Sequence, residues 1–175
     1  DILIKQITQN KTLLLRATSV FFAHAGVGIL MLGIIYSSYF SLQKELVMQA
    51  NESTNIGPYK IEYKNVALQK GPNYVSLKGN LDIFKNEKFV TRLSPEKRIY
   101  KLQSKPMTEA AVHSTLFHDL YISLGEPVER DRWGVRIYYK PFMSFLWIGI
   151  LFMFFGGIIS ITTAVIAKRK MHPRI

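Results

Sequence analysis

Histidine is the residue type in this chain best suited to ligation or proton transfer. One of its four copies, His24, stands where an imidazole is costly to keep. It falls in Ala23-His24-Ala25-Gly26-Val27-Gly28, inside the run 17–43, whose 27 residues carry no formal charge. On a helix it would lie roughly 12 Å along the axis from Arg16. Ala23, Ala25, Gly26 and Gly28 clear side-chain bulk around the ring, so that another helix or a flat macrocycle can come close. Three roles suit such a ring: packing with a hydrogen bond to a neighbour's carbonyl, ligation of haem iron, or proton relay. Gly33, seven residues after Gly26, fits helix packing better than contact with a macrocycle. None of the other histidines lies in an apolar run, so a bis-histidine haem would need its second axial ligand from another helix or chain.

His113 and His118 are five residues apart, which on a helix separates them by roughly 140° and is poor spacing for a shared metal. With Glu109 and Asp119 nearby a metal or acid/base site can be drawn, but exposed polar side chains are the simpler reading. His172 lies among lysines and arginines and is given no role. Paired carboxylates, phosphate-cradling glycine loops and nucleophile elbows are missing from the sequence. With no cysteine, the chain has no disulfide, no thiolate metal site and no Cys-x-x-Cys-His of a c-type cytochrome.

The elements that would position these residues follow from hydropathy and charge. A second uncharged run, 141–167, matches the first, and each exceeds the roughly 20 residues that cross a hydrocarbon core. The expected organisation is a basic inside-facing segment (1–16), a first transmembrane helix (17–40), an extramembrane β-domain (41–140), a second transmembrane helix (141–167) and a basic inside-facing tail (168–175). The first run reads as a permanent anchor, because no small-x-small cleavage pattern follows it. The opening Asp in place of Met points to a processed chain or a piece of a longer one. The net charge of +11 includes +2 over residues 1–16 and +4 over the tail. That distribution reads as topology, not nucleic-acid binding, and places the central domain in a periplasm or intermembrane space. Tyr36, Tyr39 and Phe40 at the outer end of the first span, and Tyr138, Tyr139, Phe142 and Trp147 at the start of the second, suit interfacial belts.

The central stretch alternates as strands do at Tyr59–Tyr63, Tyr74–Lys78, Leu81–Phe84, Phe89–Leu93, Ile99–Leu102, Leu120–Leu124 and Val135–Tyr139. Asn86-Glu87 reads as a hairpin turn, Gly79-Asn80 as a break, and Gly71-Pro72-Asn73 and Gly125-Glu126-Pro127 as turns. Residues 41–57 read as a looser polar join, and Thr108–His113 as a short helix capped by Thr108. The fold class is thus an α+β membrane protein, with two transmembrane helices flanking a small antiparallel β-rich domain.

Collinear with this plan are Phe-Phe-Ala-His-Ala-Gly-Val-Gly (21–28), Gly-Pro-Asn-Tyr (71–74), Ser-Pro-Glu-Lys-Arg-Ile-Tyr (94–100), Met-Thr-Glu-Ala-Ala (107–111), Asp-Leu-Tyr-Ile-Ser-Leu-Gly-Glu (119–126) and Trp-Gly-Val-Arg-Ile-Tyr-Tyr-Lys-Pro (133–141). From about Arg16 onward the chain resembles the C-terminal part of the CcmF family, large subunits of the haem lyase of cytochrome c maturation. The resemblance implies that His24 is an axial ligand of a permanent membrane haem b, with Gly26 and Gly28 making space beside it. It also implies an electron route from quinol through that haem to haem delivered by the chaperone CcmE. The vinyl groups of the delivered haem are then joined to apocytochrome c thiols, which a CcmH-type subunit handles. The family's Trp-Trp-Asp segment, its flanking outer-face histidines and its first membrane histidine have no counterpart here. The second axial ligand and catalytic completeness would therefore come from N-terminal CcmF parts in a bacterial or mitochondrial inner membrane. The rival readings are a non-catalytic two-span assembly adaptor and, more distantly, a metal-dependent enzyme in the outer domain.

Overall fold

The computed structural model describes residues 2–101, 105–129 and 132–171. The chain divides into a helical unit, 1–36 with 142–175, and a β unit, 37–141.

The helical unit pairs α1 (Ile2–Tyr39) with α2 (Met143–Met171). Both contain stretches long and apolar enough to cross a membrane, Asn10–Tyr39 and Met143–Lys168, and only 17% and 11% of their most apolar windows are buried. A core helix of a soluble domain would be mostly covered; these carry apolar side chains outward on most sides. Where the two meet, side chains are small. A Cβ on Gly26 would stand 2.7 Å from the Gly149 carbonyl oxygen, and one on Gly149 would stand 2.7 Å from the Gly26 oxygen. One turn along, Phe22 packs on Phe152 with ring centroids 5.2 Å apart, and two turns along, Ser19 Oγ donates to the Gly156 carbonyl at 2.9 Å. Close backbone approach through small residues is how helices associate where hydrophobic exclusion gives no net drive.

The β unit holds β1 (Leu42–Gln49), β2 (Ser53–Ile56), β3 (Tyr59–Lys70), β4 (Tyr74–Lys85), β5 (Lys88–Leu93), β6 (Glu96–Tyr100), β7 (Met107–Glu109), β8 (Ala111–Ser114), β9 (His118–Glu129) and β10 (Arg132–Pro141). One sheet runs β1-β10-β9-β8 and the other β2-β3-β4-β6-β7, with β5 also on β4; every pairing is antiparallel. Inward-facing residues of both sheets form one core, including Met48, Ile61, Tyr63, Leu81, Ile83, Leu120, Ile122, Val135 and Ile137, each no more than 1% exposed. The antiparallel β-domain expected from the alternating pattern is therefore a two-sheet sandwich.

Four local expectations are corrected. Thr108–His113 is not a helix: Met107–Glu109 and Ala111–Ser114 are short strands at the edges of different sheets, held by pairing to β6 and β9. Tertiary pairing overrides the weak local signal there. Gly79-Asn80 does not break the strand, since β4 runs through it opposite Val66 and Asn65. Gly125-Glu126-Pro127 lies within β9 and makes no turn. The register shifts around Trp133 and Val135, and Gly125 lies so close to Gly134 that a Cβ would stand 2.9 Å from the Gly134 oxygen, so the chain bends as a bulge. The join 41–57 is not loose, because β1 pairs with β10 over its whole length and buries Met48. Asn86-Glu87 does form the two-residue hairpin turn. Both residues have positive φ, 50° and 60°, the backbone that suits the right-handed twist of the flanking strands. Of the expected strand Ile99–Leu102, Leu102 lies outside the described residues.

Candidate functional site

His24 occupies the exposed side of α1, away from α2. At 100° per residue Gly26 and Gly33 sit about 180–200° around the helix from it. Both face α2, Gly26 against Gly149 and Met153 and Gly33 against Leu146 and Phe145. Gly28, one turn from His24 on the same side, has nothing within 4 Å of where a Cβ would be. The two glycines expected beside the imidazole are thus divided: Gly26 belongs to the helix contact and Gly28 to the open face. Val20, Phe21, Val27 and Met31, all exposed, complete an apolar surround.

The ring is held from its own helix. His24 Nδ1 lies 2.9 Å from the Val20 carbonyl oxygen, which can only accept. Nδ1 therefore carries a proton, and the tautomer that this contact selects leaves the lone pair on Nε2. A carbonyl fixing tautomer and orientation in this way is the usual outer-shell arrangement of a metal-ligating histidine. With Nε2 as donor, apolar neighbours and Gly28 leaving the surface low, this face fits a haem approached from one side. It offers one ligand, and among the described residues no other histidine lies in either helix.

The β unit holds a second group of polar side chains that sequence reasoning treated as surface. His118 is only 8% exposed, and its Nε2 lies 2.6 Å from the Tyr59 hydroxyl. The Tyr139 ring stands 5.2 Å from the His118 ring, and His113 approaches Tyr59 edge-on at 6.2 Å. Burial holds the His118 pKa below the ordinary 6.5, helped by the nearby Lys85 and His113 charges and opposed by Asp119. Burial likewise raises Tyr59 and Tyr139 above 10.0. This is a neutral, hydrogen-bonded lock between the two sheets. No cluster of three or more His, Cys, Asp or Glu suited to a metal occurs among the described residues. The missed signal was period two: Leu120, Ile122 and Leu124 face inward, and His118 continues that phase.

Residues 39–141 match the family described as the CcmF C-terminal beta-sandwich. Among curated relatives, the cytochrome c-type biogenesis protein CcmF of Haemophilus influenzae is 42% identical over 137 residues, 78% of this chain and 21% of that protein. CcmF of Pseudomonas aeruginosa is 39% identical over 77% of this chain and 20% of its own length, and that of Escherichia coli 34% over 84% and 23%. The chain thus spans about a fifth of the length of the curated relatives it matches. A solved structure of the cytochrome c heme lyase CcmF superimposes with a TM-score of 0.69 at 14% identity, covering 85% of this chain and 25% of that one, and supports the fold. The matched sandwich and the identity over more than three quarters of the chain show that it belongs to the CcmF family, as a C-terminal portion of it.

Proposed function

We propose that this chain is the C-terminal component of a cytochrome c haem lyase, anchored by α1 and α2 in an inner membrane with the sandwich on the periplasmic or intermembrane-space side. In this reading His24 supplies one axial ligand to a membrane haem b. The observation that carries the ligand assignment is the tethered imidazole: Nδ1 bound to the Val20 carbonyl and Nε2 with its lone pair free, on the side of α1 opposite Gly26 and Gly33, which face α2. Bound there, haem would supply one-electron chemistry for reducing the haem to be attached. The chain's own contribution is to orient Nε2, keep the surroundings apolar through Val20, Phe21, Val27 and Met31, and leave room at Gly28. The opposite ligand comes from the N-terminal CcmF portion. The haem chaperone CcmE, a CcmH-type thiol-handling subunit, apocytochrome c and quinol are the further partners.

The test is His24→Ala in the complex purified with its N-terminal counterpart. The b-type absorbance and the stoichiometric haem in a pyridine extract should be lost while both polypeptides still copurify. An unchanged bis-imidazole spectrum would sink the assignment. Absence of haem from the unmutated complex would instead favour a two-span adaptor.

A further inference from the structure

The turn between β8 and β9 has unusual chemistry. Two-residue connections ordinarily place Gly, Asn, Asp or Pro at their centre. Here the centre is Leu116-Phe117, 62% and 59% exposed, and the turn is well tied: Thr115 N–H donates to the His118 carbonyl at 2.9 Å, and His118 N–H to Thr115 Oγ1 at 3.2 Å. A closed, hydrogen-bonded turn that thrusts out two large apolar side chains is placed for contact with something apolar.

Its position identifies that contact. In the β1-β10-β9-β8 sheet, Pro141 is paired with His118 and Ser114 with Asp119, so the turn lies at the end of the sheet where β10 hands the chain to α2. The chain enters β1 at Leu42, opposite Tyr139, and so joins from α1 at that same end. Tyr39 and Phe40, 80% and 48% exposed, stand at this entry. The β4–β5 hairpin also closes here, since Lys85 lies 5.9 Å from the ring centroid of Tyr59, which holds His118. It brings exposed Phe89 and the charges Lys85, Glu87 and Lys88, while Lys140 is paired with Asp119 one residue in from the tip. One end of the β unit thus combines exposed aromatic and aliphatic side chains with a surplus of lysine, the composition of a membrane-interface surface facing anionic headgroups.

We infer that Leu116-Phe117 is an interfacial membrane anchor, inserted at the headgroup and acyl boundary. The inference rests on the reading that α1 and α2 span the bilayer. A third, non-covalent attachment would restrain the sandwich against tilting about its two helical tethers.

Because this chain has no cysteine of its own, it can be labelled at a single introduced site before it is joined to its N-terminal counterpart and reconstituted in phosphatidylcholine–phosphatidylglycerol vesicles. Phe117→Cys and, separately, Leu116→Cys are spin-labelled and compared with Leu68→Cys on β3 and Ile161→Cys on α2, both exposed positions. Power saturation should show that labels at 116 and 117 relax faster with oxygen than with a water-soluble nickel chelate, as at 161, at a depth of roughly 5–10 Å. Labels at 116 and 117 as open to nickel as that at 68, with 161 lipidic, overturn the inference and leave the spanning reading intact. Labels shielded from both reagents overturn it in favour of contact with another polypeptide. A label at 161 as open to nickel as that at 68 overturns the spanning reading, and the inference with it.

Discussion

The β unit and the helical unit solve burial in opposite ways. In the sandwich, two amphipathic sheets cover each other and the core side chains are 0–6% exposed. In the helix pair, apolar residues surround both helices, and the buried positions are small, Ser19, Gly26 and Gly33 on α1 and Gly149, Gly156 and Thr163 on α2, while Phe21, Ile35, Phe154 and Ile161 lie outside. A unit with its own apolar core carries its main stabilisation within itself. A helix pair joined by small residues has no such core and draws its stability from an apolar solvent or from further helices.

Three perturbations break or sharpen that contrast. Ile137→Ala, at a position with no exposure, should cost the sandwich about 2–5 kcal/mol. Urea unfolding followed by Trp133, which packs on the core, reports it in a Trp147→Phe background. Gly149→Val drives a branched side chain against the Gly26 backbone and should weaken helix pairing by about 1–3 kcal/mol. Cross-linking between Phe22→Cys and Phe152→Cys should fall while the Trp133 midpoint stays put; a shift in both would show the units to be energetically coupled.

The smallest effect is a pH dependence confined to the sandwich. His118 has its pKa depressed by burial, so the folded state resists a proton that the unfolded chain accepts. Stability should be fully present above about pH 6.5 and decline as pH falls below it. His118→Gln should flatten that decline. An unaltered slope in the variant would assign it to other groups. The contribution of Asp82, whose carboxyl pKa is held low by the Arg92 guanidinium hydrogen bonds, is lost only in more acidic solution.

Sequence alone determined the two helices and most strands, because uncharged length and period-two alternation are local properties that need no partner to be read. Leu81–Phe84 and Val135–Tyr139 announced themselves in this way, and so did the Asn86-Glu87 turn. The collinear motifs carried the family as well, whereas composition left His24 open to three roles. The tertiary structure decided what depends on neighbours distant in sequence. It showed that Gly26 faces α2 while Gly28 shares the His24 side, since both are equally small and only the partner helix tells them apart. It made residues 42–49 a full strand, because β10 supplies its hydrogen bonds from almost a hundred residues away. It also turned His118 from a surface polar residue into a buried partner of Tyr59, a contact across 59 positions whose energy exists only once the two sheets have closed.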